Sequence, residues 1–197
     1  MDNNEVLFFW NYFCSLCRML ENTTQYVDHT NEGNKNVNSY EFQKIITLAS
    51  IEFESIAKQL CLIANPNLKV DSSRFNIIQI TKNINKYYPE LKKTTIRRGF
   101  NILSPLQSWE VLKKKDGNEY CSGIEWWSSY TGIKHNAYIN YKQSTLENAI
   151  NAMASLMVLE IHFVKVKTGS NKIMNDNPCP YFINPFQSEA ILIESNL

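Results

Sequence analysis

Phe42, Ile46, Ala49, Phe53, Ile56, Leu60 and Ile63 recur at alternating steps of four and three residues, and no polar residue breaks the series. Steps of that size return to one side of an α-helix, so the segment reads as a single helix of about six turns with one continuous apolar seam. Asn38 with Glu41 three residues on resembles a capping box at its start, and Asn65-Pro66-Asn67 closes it. Gln43, Thr47, Ser50, Glu54 and Lys58 share the opposite face, with Glu54 and Lys58 spaced for a weak ion pair, while Glu52 sits at the border of the seam. A seam this long has to be covered by other helices.

The rest of the chain supplies them. Residues 4–27 hold a helical stripe of Phe9, Phe13, Leu16, Leu20 and Tyr26, with Phe8 and Trp10 wide of it. A polar loop follows over 28–38. Ile77, Ile80, Ile84 and Tyr87 keep step in a shorter helix over 76–88, ended by Pro89. In residues 94–103 the period changes to two, which predicts an extended segment or small hairpin packed on the helices. Lys113 to Asn118 reads as a solvated turn. A short helix then begins at Trp126 and contains Gly132, which costs about 1 kcal/mol against alanine. Ser144-Thr145-Leu146-Glu147 is a capping box for the last helix. Its stripe of Leu146, Ile150, Met153, Met157, Ile161 and Val164 is widened by Ala149, Ala152, Leu156 and Phe163, as befits the middle of a bundle. The expectation is an all-α bundle of four to five helices over 1–166, with a small extended segment or hairpin around 94–103. An irregular tail over 167–197 would pack on it through Tyr181, Phe182 and Phe186. The seam helix and the last helix should be central, and antiparallel or nearly so.

Composition narrows the function classes. Twenty basic residues balance nineteen acidic ones, so any binding of nucleic acid or anionic lipid has to come from a local patch. Six glycines, and no Walker sequence or Gly-x-Ser-x-Gly elbow, argue against a nucleotide cradle or a hydrolase nucleophile, and no cofactor is expected. The five cysteines are odd in number and irregularly spaced, which favours free thiols in a reducing compartment. Cys14-x-x-Cys17 lies in an apolar helical pattern with no second pair, so buried thiols are expected there, and no metal. The acidic start of the chain lacks the basic region of a secretory signal. The longest apolar stretch, Ala152 to Val164, carries Glu160 and His162 and is shorter than the roughly 20 residues of a membrane span. A cytoplasmic protein with no membrane contact is expected.

Three groups of residues invite chemistry. Trp126-Trp127-Ser-Ser-Tyr130-Thr-Gly-Ile-Lys134-His135-Asn136 gathers indoles, a phenol, an ammonium, an imidazole and an amide, and on a helix Trp127, Tyr130 and Lys134 share a face. A histidine beside a lysine has its neutral form favoured, which suits a general base. The ordinary alternative is that the tryptophans are core and His135 closes a helix end. Glu160 falls inside the apolar stripe of the last helix, where a carboxylate must be paired, protonated or part of a site, unless it reaches solvent from the stripe's edge. Lys134 or His135 would be its partner if the two helices pack antiparallel. Arg97-Arg98, after Lys92-Lys93 and followed by Phe100, is the one basic cluster with an aromatic beside it and could hold phosphates, or simply be a solvated segment.

Leu20-Glu-Asn-Thr-Thr-Gln-Tyr-Val27, Ser39-Tyr-Glu-Phe42, and Trp126-Trp127-x-x-Tyr130-x-x-x-Lys134-His135 ahead of Leu-Glu-Asn-Ala-Ile-Asn-Ala-Met-Ala together resemble a group of uncharacterised bacterial helical proteins. That group is similar to HEPN-type domains, many of them ribonucleases of toxin and phage-defence systems. The resemblance implies a helical bundle, commonly a homodimer, with active groups of both subunits at a shared cleft. It places His135 on the family's histidine. Where the family has its arginine this chain has Ser128, Ser129 or Tyr130, with Lys134, Arg97 and Arg98 as the available cations. The expected function is metal-independent cleavage or binding of RNA in a toxin–antitoxin or phage-defence pair. His135 would act on the 2′-OH with Lys134, Asn136 and Tyr130 about it, and Trp127 or Tyr130 would stack a base. The alternative is a catalytically silent helical module that binds a partner protein, a nucleotide or its own copy.

Overall fold

The computed structural model describes residues 3–98, 101–169 and 182. Three long helices begin at side-chain caps. Ser39 Oγ accepts from Phe42 N–H at 3.0 Å to open α2 (Tyr40–Ala64). Asn76 Oδ1 accepts from Ile78 and Gln79 to open α3 (Ile77–Tyr87). Thr145 Oγ1 accepts from Asn148 N–H at 3.2 Å to open α6 (Leu146–Thr168), which Gly169 ends in the left-handed conformation. These caps satisfy amide donors that the first turn of a helix leaves open. Before them comes α1 (Asn3–Asn22), continued by a 3₁₀ turn over Thr23–Gln25.

Both capping boxes slip by one residue from the expected positions, and for the same reason. Asn38 and Thr145 form an isolated β-bridge, Ser39 N–H donates to Ser144 O, Leu146 N–H to Val37 O and Glu147 N–H to Lys35 O. This lacing ties the starts of α2 and α6 together, so the two central helices run parallel, not antiparallel as expected. α1 runs against them: its Glu5 meets Lys167 at the far end of α6 at 2.8 Å, and Phe9 packs edge-on to Phe163. Of all pairs of elements, α2 and α6 pack most extensively. Every residue from Ala152 to Val164 is buried, as are the seam residues Phe42 through Leu60, while Ile63 emerges at the end of α2. Trp10 is buried and Phe8 and Tyr26 are exposed, so the inner face of α1 is rotated toward Trp10 and its stripe stops before Tyr26.

The fold is not all-α. Two small antiparallel sheets join six α-helices among the described residues, one more helix than the upper expectation. The first sheet pairs β1 (Ile96–Arg98) with β2 (Asn101–Leu103), Ile96 opposite Leu103. The second pairs β3 (Glu110–Lys113) with β4 (Glu119–Ser122), Glu110 opposite Ser122. Lys113 to Asn118 is therefore the tip of a hairpin and not merely a loop, with Gly117 at φ 86° and Lys114 N–H bonded to Asn118 O. Asp116-Gly117 is a common hairpin turn signal. The strands beside it are too short to display an alternating pattern. Short helices α4 (Glu125–His135) and α5 (Ala137–Asn140) follow, then a 3₁₀ turn over Tyr141–Gln143.

α6 is long and apolar enough, by composition, to cross a membrane, but it is 83% buried against the other helices over its most apolar window, as a core helix is. Of the expected tail, Phe182 is described and buried in the core. Tyr181, Phe186 and Cys179 lie outside the described residues.

Cys14, Cys17 and Cys61 are reduced and wholly buried, and burial pushes the Cys61 thiol up to about 12. Thiolate, not thiol, is the reactive form. Peptide-level alkylation at pH 8 should therefore spare these three in the native protein and reach them only in denaturant. Rapid native-state labelling of all three would refute this packing of α1 and α2.

Candidate functional site

Each side chain of the Trp126–Asn136 stretch takes its position from α4. The helix carries Glu125 in its first turn and Lys134 and His135 in its last, signs that suit the helix dipole at both ends. Trp126 enters the core, 5.0 Å from the Phe53 ring, and Trp127 lies half-buried 6.1 Å from the same ring. Tyr130 stands edge-on to Trp127 at 5.1 Å and is itself buried. Lys134 projects over it, Nζ 5.8 Å from the ring centre, a cation–π distance. His135 is exposed on the last residue of the helix. Asn136 closes α4 and opens α5, where its Oδ1 accepts from Ile139 N–H at 3.2 Å, so its amide serves the backbone.

The chain then folds back on α4. Asn140 Nδ2 donates to Gly132 O and Asn136 O, and Gln143 Nε2 donates to Asn140 Oδ1. The return packs close to Gly132, where a Cβ would meet the Asn140 amide at 3.1 Å. The result is a surface that sequence reasoning did not single out. Tyr138 is 94% exposed, Ile139 71% and Tyr40 71%, and the ring of Tyr40 lies 4.8 Å from that of Tyr141. Lys134, His135 and Lys142 are exposed on the same short run of chain. Other cations near this end are matched: Lys35 pairs with Glu32 and Glu147, and Lys44 with Glu41.

Arg97 and Arg98 of β1 are placed differently from each other. Arg97 is exposed on β1, whereas Arg98 Nη2 donates to His29 O at 2.6 Å. His29 in turn is 2.9 Å from Thr23 Oγ1 and packs against Phe42, and burial, then the Arg98 charge, lowers its pKa to about 4. Arg98 thus braces the loop after α1 against the start of α2. Phe100 lies outside the described residues.

Glu160 is wholly buried, and neither carboxylate oxygen has a hydrogen-bond partner among the described residues. It is not the partner of Lys134 or His135. Asn148 of α6 already meets Ser129 of α4 at 2.9 Å, and Glu160 lies more than three turns further on, roughly 18 Å along the axis. Its charged neighbour is Glu52 of α2, also buried. Two residues after Glu160, His162 Nε2 stands 3.2 Å from Glu90 Oε1, with Tyr88 edge-on at 5.0 Å. Burial holds the His162 pKa below its ordinary value, against the opposing pull of Glu90. The sequence signal for this pair was His162 interrupting an apolar stripe; Glu90, far away in the chain, had none.

Among the described residues no group of three or more His, Cys, Asp or Glu is placed to hold a metal ion. An open depression of about 480 Å³ lies elsewhere, between the start of α3 (Asn76, Gln79) and the β3–β4 hairpin (Lys113, Asn118, Glu119). No protein-family model, curated protein or solved structure matches the chain.

Proposed function

We propose that this chain is a cytoplasmic RNA-binding protein of the HEPN-like kind, and that it holds single-stranded RNA on the surface formed by the end of α4, α5 and the start of α2. The observation that carries the reading is the pair of exposed tyrosines, Tyr138 and Tyr40, with the half-buried Tyr141 against Tyr40, interleaved with Lys134, His135 and Lys142. Aromatic rings with uncommitted faces stack bases, and unpaired cations beside them track phosphates. Duplex RNA offers no free base faces, so it should bind less well.

Cleavage asks for more than this surface has in one copy. His135 can accept the proton of a 2′-OH, and Lys134 can offset charge on the phosphate. No second described imidazole or carboxylate stands beside His135 to protonate the leaving oxygen. A homodimer would bring a second His135 to the same RNA, as the family likeness implies. The natural setting is a toxin–antitoxin or phage-defence pair. Ile139, apolar and exposed beside Tyr138, favours a second reading in which the same surface docks a partner protein.

Fluorescence anisotropy with a labelled single-stranded RNA tests the proposal. Tyr138→Ala should weaken binding roughly tenfold, as the loss of one base stack does. Lys134→Ala with Lys142→Ala should lower the log–log salt slope by about 1.4, or 0.7 for each lost phosphate contact. His135→Ala should leave the fold intact and abolish any cleavage of total RNA seen on a gel. If wild type binds no RNA at low salt, or all variants bind alike, the surface is not an RNA site.

A further inference from the structure

Parallel packing of α2 and α6 brings Glu52 and Glu160 to the same level of the core. Among the described residues Glu160 is fully enclosed with both oxygens unpartnered, and Glu52 is 7% exposed with Oε1 unpartnered. A buried polar oxygen without a donor is costly, and a buried unpaired charge costs far more. The groups that could relieve the pair from neighbouring elements do not do so. From α1 the titratable side chain facing Glu52 is Tyr12, whose pKa Glu52 raises further after burial. On α6 His162 turns to Glu90 of the 3₁₀ turn after α3, and on α2 Glu54 and Lys58 pair with each other. Lys82 and Lys86 of α3, and Glu125, Lys134 and His135 of α4, are exposed.

We propose that Glu52 and Glu160 form a buried acid pair that is protonated while α1 is packed on α2 and α6, and that loss of the Glu52 proton to water loosens α1. A protonated carboxyl is neutral, so two acids can lie near each other in a core where two carboxylates would repel. Glu52 is the member that can yield. It lies toward the α1–α2 seam beside Tyr12, where water has the shorter path, whereas Glu160 has α6 and its neighbours on every side. Burial raises the Glu52 pKa to about 7, and burial, then the Glu52 charge, raises that of Glu160 well above its ordinary value. The packing of α1 therefore responds to pH near neutrality.

The direction follows from linkage. Both folded-state values lie above the unfolded carboxyl value, so the stabilisation is full below about 4.5 and is lost as pH rises. The share of Glu52 is gone above about 7, and that of Glu160 continues to fall beyond it. His29 and His162, with lowered values, act oppositely, but only below the unfolded imidazole value of about 6.5.

The test uses the full chain. Infrared absorption at pH 6 should contain the carbonyl stretch of a protonated carboxyl, diminished in Glu160→Gln and in Glu52→Gln. Thermal midpoints of wild type should fall by several degrees from pH 6.5 to 8.5, with the fall largely removed in Glu160→Gln. Amide exchange corrected for intrinsic rate should lose roughly fourfold more protection in α1 than in α6 over the same interval, a difference that Glu52→Gln erases. If Glu52→Gln does not fold, Glu52→Met carries the same comparison. A wild-type spectrum without the free-acid band, or α1 protection that does not change with pH relative to α6, overturns the proposal.

Discussion

Truncating Phe53 to alanine should cost on the order of 3–5 kcal/mol in urea denaturation, the range for a fully buried aromatic. Phe53 has no exposed surface and sits where α2, α4 and the segment before β3 meet, its ring 5.3 Å from Trp109 and 5.0 Å from Trp126. Neither indole can move into the void easily. Trp109 is itself fully buried, and Trp126 is held by the helix that also carries Trp127 and Tyr130. The void would then stay open, and an open cavity adds its own cost to the lost transfer energy. Tryptophan fluorescence should change in the same variant, because three of the four tryptophans ring this side chain. A cost below about 1 kcal/mol would show that this part of the core can collapse, contrary to its packing.

The face of α2 was legible because its period persists through many turns, and each added turn makes chance agreement less plausible. Its direction relative to α6 was not. Amphipathicity says which face is inward and is silent on polarity, which here is decided by main-chain bonds from Lys35, Val37 and Ser39 to Glu147, Leu146 and Ser144. Those bonds involve no side-chain pattern. The same blindness hid the acid pair. Glu160 and Glu52 were each visible as a carboxylate in or beside an apolar stripe, but their meeting depends on parallel packing. The β3–β4 hairpin was lost to its length, since four residues in each strand, none of them buried, give no usable alternation. At the candidate surface, the run from Trp126 to Asn136 stood out by composition. Its members then divided by burial: Tyr130 inside, Asn136 spent on a cap, Lys134 and His135 outside. Tyr40, Tyr138 and Tyr141 passed unnoticed because a tyrosine in a sequence looks the same whether its ring is packed or open.

Among the described glycines, Gly123 should be the one least tolerant of an added methyl, with a loss of roughly 4 kcal/mol in Gly123→Ala, at the severe end for a point substitution. Gly123 links β4 to α4 at φ 79°, a conformation that costs an L-residue about 1–2 kcal/mol. A Cβ there would also stand 2.1 Å from Ser108 O, 2.2 Å from Ser108 C and 2.8 Å from Trp109 N. These are backbone atoms, and no rotamer change can clear them. The chain on one side leads to Trp109 and on the other to Trp126, so displacement at Gly123 would pull both indoles from Phe53. Gly117→Ala is the matched control. Its φ of 86° is equally unfavourable, but nothing lies within 4 Å of the added carbon, so its cost should stop at about 1–2 kcal/mol. The difference between the two variants isolates the steric part of the Gly123 effect. Because α4 carries Lys134 and His135, Gly123→Ala should also reduce the proposed RNA binding under conditions where the protein is still folded, whereas Gly117→Ala should not. Equal stabilities for the two variants would mean that the Ser108–Trp109 segment moves aside freely, and that α4 is not held in place from this side.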